Sequence, residues 1–392
     1  MTSRTRTRLG IGLAVIGLLC LAAAAILRWA VLPSQARLPA DENTARQYQG
    51  TAKVLVDPRA LSTGDLRAAL VTNAPVTAQR TVKTLATSGD VAEVQDVRTL
   101  TGGGRTLGQT TATYAVDRTT LAASPTHPAD WNVTPAQGLT VSWPIGAEKK
   151  DYTGWVQETR STTTLKYLRQ EARQGVDTYV YQATTDPAPI KDPQVLDTLP
   201  RSLPVSTLTA LSGAASIPPD VQAQLARLLP GLANPVPLSY TYQSQSTYWV
   251  QPTTGIVVDT QREEIRKAGA SVAGKPVAAV LPVYDVSTAF TGQSAKAAAT
   301  DAQDKADKIN LYGDTLPLIL LIVGAIVLVV GLALLLLTRR SGGGAPRGGH
   351  PTAPAPPGAA PGGPGPVAPE PPGPVRSWSP PDPNARRAPP PS

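Results

Sequence analysis

The sequence predicts a mainly β fold, antiparallel and barrel- or sandwich-like, carried between two transmembrane α-helices and followed by a disordered tail. Three observations predict it: two long apolar runs, a stretch of alternating polar and β-branched residues between them, and a Pro/Gly/Ala-rich end. Leu316–Leu337 holds 22 residues without a charge and closes on Arg339 and Arg340. A helix needs roughly 20 apolar residues to cross a hydrocarbon core of about 30 Å, where each backbone group must find its partner inside the segment. The expected organisation is a basic arm over 1–8, a first membrane helix over 9–32, an extracytoplasmic β-rich domain over 33–314, a second membrane helix over 315–338 and a tail over 339–392.

In chain order, Arg4, Arg6 and Arg8 precede an apolar run from Leu9 to Leu27, which ends at Arg28-Trp29. That run exceeds the core of an ordinary signal peptide, and Trp beside Arg suits the membrane interface, so an uncleaved signal anchor is expected. The single cysteine, Cys20, lies in this run and reads as filler on a lipid-facing helix; with one cysteine no internal disulfide can form.

From Thr51 onward apolar and β-branched residues alternate with polar ones at the period of a strand. Strands are expected over Thr51–Val56, Val82–Thr87, Val91–Leu100, Arg105–Val116, Leu139–Trp143, Gly154–Leu168, Asp177–Thr184, Leu238–Val250 and Ile256–Ile265. Hairpin turns fall at Ser88-Gly89-Asp90, Gly102–Gly104, Gln174-Gly175 and Pro252–Gly255. Helices are expected over Ser62–Val71, over Asp220–Leu229 behind Pro218-Pro219, and over Ser294–Asn310 leading into the second span. The tail from Ser341 contains 18 of the 40 prolines. Its composition cannot bury enough apolar surface to offset the entropy of ordering, although its Pro-x-x-Pro spacings could dock a cytoplasmic partner.

The formal charge of +8 shrinks to nothing once partitioned, because residues 33–314 carry 26 Lys plus Arg against 26 Asp plus Glu. The surplus sits on the flanks, which removes the argument for nucleic-acid binding. Arg4, Arg6 and Arg8 at one end and Arg339, Arg340 and Arg347 at the other predict that both termini face the cytoplasm of a plasma-membrane protein.

Catalytic signals are sparse. Two histidines, no cysteine outside the first span, and no zinc, nucleophile-elbow or phosphate-loop motif give no basis for assigning a catalytic residue, a metal or a cofactor, and the expectation is a protein that is not an enzyme. The charged run Gln261–Lys267, with Glu263-Glu264 inside it, reads as a solvated strand end. Large rings outside the membrane are almost all Trp or Tyr. Trp143, Tyr152, Trp155, Tyr179, Tyr181, Tyr240, Tyr242 and Trp249 occupy the central strands, with Tyr179/Tyr181 and Tyr240/Tyr242 at i, i+2 on shared faces. Such rings make either a β core or the lining of a pocket for an amphipathic ligand.

Three passages form a recognisable set: Leu27-Arg28-Trp29 closing the first run, Trp143-Pro144-Ile145-Gly146-Ala147-Glu148-Lys149-Lys150-Asp151-Tyr152 with Trp155 after it, and Tyr248-Trp249-Val250-Gln251-Pro252-Thr253-Thr254-Gly255-Ile256-Val257. With the order arm, span, β-rich domain, span, the sequence resembles the actinobacterial PorA-like family of two-span membrane proteins over roughly Leu9–Leu337. The resemblance implies a cell-envelope protein, with lipid or lipoglycan handling as its expected role. A lipid-spanning barrel is not expected, since these strands are polar and interrupted by proline. The competing expectation is an extracytoplasmic sensor or scaffold that binds a protein, with the tail as its cytoplasmic interaction segment.

The arginine asymmetry generates a topological prediction. Reporter fusions after Thr44 and Ala289 should be external and one after Gly344 cytoplasmic; a cytoplasmic signal at Ala289 overturns the layout.

Overall fold

Strands with period-two patterning pair best with their sequence neighbours through tight turns, and that is how most of this chain folds. The computed structural model describes residues 3–57, 60, 69–212, 219–228, 232–272, 275–276 and 281–340. Twelve strands are found among them: β1 (Asn43–Val56), β2 (Leu70–Ser88), β3 (Val91–Gly102), β4 (Arg105–Asp117), β5 (Tyr152–Val156), β6 (Ser161–Arg173), β7 (Val176–Pro189), β8 (Ser202–Leu203), β9 (Val236–Val250), β10 (Val257–Val272), β11 (Lys275–Pro276) and β12 (Leu281–Phe290). Ten make one antiparallel sheet in the order β4-β3-β2-β1-β12-β10-β9-β7-β6-β5, with β8 beside β9 and β11 beside β10. The sheet curls into a half-barrel, so a barrel-like form is realised rather than a two-sheet sandwich.

Chain closure occurs in the middle of this sheet, where β1 pairs with β12 from Tyr48↔Phe290 to Leu55↔Tyr284. The first and last strands are thus neighbours, and the helices that flank them leave the same end together. The edge strands β4 and β5 are bridged by the long connection between them. Asp117 N–H donates to Ala122 O (2.9 Å), Ala123 N–H to Gly138 O (2.7 Å), and Leu139 accepts from Trp155 N–H (2.8 Å) while donating to Thr153 O (2.8 Å). Farther along β4 a side chain serves as a strand: the Gln194 amide accepts from Thr111 N–H (2.9 Å) and donates to Thr111 O (2.6 Å). Exposed strand edges invite aggregation, and both devices cover β4.

Several sequence expectations change here. Leu139–Trp143 is not a strand; only Leu139 makes isolated bridges, because this segment bends to fill the space between the edges. The stretch Gly154–Leu168 is two strands, since Gln157–Arg160 turns with Arg160 at φ 47°. Of the helix expected over Ser62–Val71, residues 62–68 lie outside the described ones, while Leu70 and Val71 already belong to β2. The tail beyond Arg340 lies outside the described residues as well. The helices are α1 (Ser3–Ile26), α2 (Leu32–Gln35), α3 (Pro193–Leu196), α4 (Val205–Ser212), α5 (Pro219–Leu228), α6 (Gly292–Asn310) and α7 (Leu316–Arg340), with π-helical turns at Leu27–Val31 and Leu311–Thr315. The amphipathic α6 turns Ala295, Ala298, Ala299, Ala302 and Ala306 onto the sheet and is tied to β1 by Ser294 Oγ, which accepts from Gln47 N–H at 2.8 Å.

Helices α1 and α7 pack along a seam of small residues. Gly10, Gly17 and Ala24 are buried at intervals of seven, facing Pro317, Gly324 and Gly331 at the same interval. Close backbone approach of this kind is how helices associate in lipid, where apolar burial gives no net drive. A Cβ at Gly17 would meet Leu328 N at 2.7 Å and Gly324 O at 2.8 Å. Cys20 belongs to this seam, against Gly324, and is not lipid-facing filler as expected, because the helix turns that face toward its partner. The large exposed apolar residues lie on these helices and the turns beside them; in the sheet only Leu85 and Leu168 are exposed among the described residues.

Gly17→Ile should therefore lower the thermal midpoint of the detergent-solubilised protein, by an overpacking cost of about 1–3 kcal/mol. Gly12→Ile, where an added Cβ meets nothing within 4 Å, should leave it unchanged; equal effects would refute the seam.

Candidate functional site

Because successive residues of a strand face opposite ways, the curled sheet has an inner face made by alternate residues of each strand. That face encloses a cavity of about 1090 Å³. Part of its wall is apolar, including Leu55, Leu100, Leu107, Trp143, Trp155 and Phe290. One end is floored by the edge-to-face pair Tyr48/Phe290, with centroids 4.9 Å apart, at the end from which α6 leaves. The floor is fixed by residues at the chain's closing pair of strands.

The rest of the wall is polar, largely neutral Ser, Thr and Gln side chains with a charged cluster among them. On β10 the residues Arg262, Glu264 and Arg266 point inward at spacing two, opposite Thr288, Val286 and Tyr284 of β12. This overturns the reading of Gln261–Lys267 as a solvated strand end. Period two puts the outer face on Gln261, Glu263, Ile265 and Lys267 and the inner face on the alternating Arg-Glu-Arg. From β2 and β3 come Arg80 and Arg98, directly opposite each other, and from the β5–β6 turn comes Glu158.

Two carboxylates organise the arginines. Asp96, whose side chain is 3 % exposed, accepts from Arg80 Nε (2.9 Å) and Nη2 (3.0 Å) and from Arg98 Nη2 (3.2 Å). Arg80 Nη2 also donates to Val141 O at 3.1 Å. Glu264 accepts from the Tyr242 hydroxyl (2.9 Å) and lies 3.0 Å from Arg262 Nη2, which also donates to Tyr242 Oη (2.8 Å). Burial by itself would raise the Asp96 carboxyl, but Arg80 and then Arg98 outweigh it and hold the group at about 2. Burial opposes ionisation of Glu264 in the same way, and Arg262 and Arg266 again prevail, lowering it. Desolvation disfavours the charged guanidiniums of Arg262 and Arg266, yet the facing carboxylates and phenols keep both above their ordinary value. Asp96 and Glu264 are therefore ionised at neutral pH.

Of the eight aromatic candidates, Trp143 and Trp155 line the cavity. Trp143 packs on Tyr248 (4.8 Å) and Tyr181 (5.5 Å), and its Nε1 is buried without a partner. Trp155 donates from Nε1 to Gln157 Oε1 at 3.0 Å. Tyr181 is fully buried behind Trp143, donating to Glu148 O at 2.5 Å, and Tyr152, Tyr167 and Tyr179 pack around it. Tyr242 belongs to the charged cluster. Tyr240 donates to Pro200 O at 2.6 Å, and Trp249 carries the Arg173 guanidinium over its ring at 4.7 Å. Neither of these last two is among the cavity-lining residues.

The two aromatic passages read from the sequence meet in space. Ala147 N–H donates to Pro252 O (2.7 Å), Gly146 N–H to Thr253 O (3.2 Å) and Ser142 Oγ to Gly255 O (2.8 Å). Gly255 has φ +71°, and a Cβ there would stand 2.2 Å from Trp143 O, so only glycine allows the contact. No group of His, Cys, Asp and Glu able to hold a metal ion occurs among the described residues.

The Asp96 cluster carries a pH prediction. A carboxyl lowered from 3.8 to about 2 contributes stability that is complete above about pH 4 and lost as pH falls toward 2. Asp96→Asn should cost on the order of 2 kcal/mol at pH 7 and flatten this acid limb of the melting curve; an unchanged limb would show that the pair contributes nothing.

Comparison with known proteins places this geometry in a family. A search of curated proteins found no match. The family profile described as Porin PorA matches residues 9–333, from the first apolar helix through the half-barrel and into the second. The chain belongs to the Porin PorA family.

Proposed function

We propose that this chain is a membrane-tethered, non-enzymatic binding protein of the cell envelope, whose half-barrel holds a lipid or glycolipid on the extracytoplasmic side of the plasma membrane. One observation carries the reading: a cavity of about 1090 Å³ whose wall is part apolar and part polar, placed at the end of a helix that runs on into a membrane span. Ligand sites commonly enclose 300–1,000 Å³ with a mostly apolar lining and a few fixed polar groups. An amphiphile matches both halves of this wall, and entry close to the bilayer spares it a passage through water. The family name suggests a pore. A pore across lipid needs an outward apolar band on its strands, and among the described residues of this sheet only Leu85 and Leu168 are large, apolar and exposed.

The test is co-purification. Gly108 lines the cavity, and an added Cβ there meets nothing within 4 Å, so Gly108→Trp introduces an indole without a clash at its root. Mass spectrometry of organic extracts should find a lipid at near-unit stoichiometry in the full wild-type chain and its loss in Gly108→Trp at an unchanged thermal midpoint. Identical extracts from both would remove the cavity as the binding place, and a co-purifying protein in place of lipid would favour the scaffold.

A further inference from the structure

The charged cluster in the cavity wall does more than make the wall polar. Five arginines line the cavity; Arg105 pairs with Asp57 at 3.0 Å, while Arg80, Arg98, Arg262 and Arg266 gather about Asp96, Glu158 and Glu264, so this cluster sets four guanidiniums against three carboxylates. The carboxylates are already committed. Asp96 takes three donors from Arg80 and Arg98, Glu264 takes Tyr242 and Arg262, and Glu158 lies 4.0 Å from Arg262 Nη2.

The guanidinium donors are not used up. Among the described residues Arg266 makes no ion pair; its side chain lies over the Tyr284 ring at 4.4 Å, and its Nε is buried without a partner. Arg262 Nε is buried and unpartnered too, and Arg98 has one donor engaged, on Asp96. Hydrogen bonds left unmade at a guanidinium fork away from bulk water carry a cost. A two-oxygen anion removes this cost, because the planar fork presents parallel N–H groups at carboxylate and phosphate spacing.

We propose that this cluster is an anion site for the phosphate or carboxylate head of an amphipathic ligand, with Arg266 and Arg98 as its direct contacts and the apolar wall receiving the chain. The proposal rests on the cavity reading above and narrows it from amphiphiles in general to acidic ones. Arg80 is spent on Asp96 and Val141 and acts as a brace; Arg262, held by Glu264 and Tyr242, adds its field and its free Nε. A cationic head would face the guanidiniums of this cluster and is disfavoured.

The experiment uses the full chain in nanodiscs of phosphatidylcholine, with empty discs subtracted, titrated calorimetrically with octyl phosphate, octyl glucoside and inorganic phosphate below micelle concentrations. Octyl phosphate should bind at least about tenfold more tightly than octyl glucoside, as one charge-assisted pair implies. Arg266→Gln and Arg98→Gln should each cut that preference by about tenfold and leave octyl glucoside binding as it was. Equal affinity for the two amphiphiles would overturn the anion site and spare the cavity. Inorganic phosphate binding as tightly as octyl phosphate would make this a free-anion site and overturn the head-group assignment. Binding of neither amphiphile would sink the cavity reading along with it, and an undiminished preference in both variants would overturn the choice of residues.

Discussion

The pairing of β1 with β12 is the constraint on which the rest of the structure depends. It joins the first strand of the chain to the last, so a sheet grown as two sets of antiparallel neighbours becomes one curved surface. It forces both flanking helices out of the same end, where Arg28 Nη1 donates to Gly313 O at 2.8 Å and the two π-helical turns lie side by side. It also sets Tyr48 against Phe290 as the cavity floor. Such long-range pairing carries a loop-closure cost that local hairpins avoid, and the helix pair packed below it offsets part of that cost by holding the same ends together.

The interior departs from the usual division of a β domain into apolar inside and polar outside. Charges in a closed apolar core would be expelled or neutralised. Here they persist because each carboxylate is met by at least one guanidinium, and because most of these groups line the cavity of a half-barrel rather than a closed core. The arrangement combines high local order with spare hydrogen-bonding capacity, a combination suited to a site and wasteful in a core. Around it, Tyr181, Tyr240 and Trp249 take the structural work of the wall, each with its polar tip bonded to a neighbouring segment or side chain.

What the sequence by itself determined was whatever follows from local periodicity and turn chemistry: apolar runs long enough to span, most of the long strands though not β12 or the first half of β2, and the hairpins at Gly89, Gln174-Gly175 and Gly255, whose backbones take positive φ. It also marked the two aromatic passages as a set, and they do meet, through Gly255. Tertiary structure alone decided which face of each strand looks inward, because the period of two fixes that alternate residues share a face but not which face is enclosed. Arg262, Glu264 and Arg266 were on show at i, i+2 and i+4, and their charge argued for solvent until the curl of the sheet turned them toward Arg98. The seven-residue spacing of Gly10, Gly17 and Ala24 was equally visible, yet it became a seam only when β1 and β12 brought α7 alongside. Strand existence is a local property of the chain, whereas the enclosure that makes a site depends on pairings between residues hundreds of positions apart.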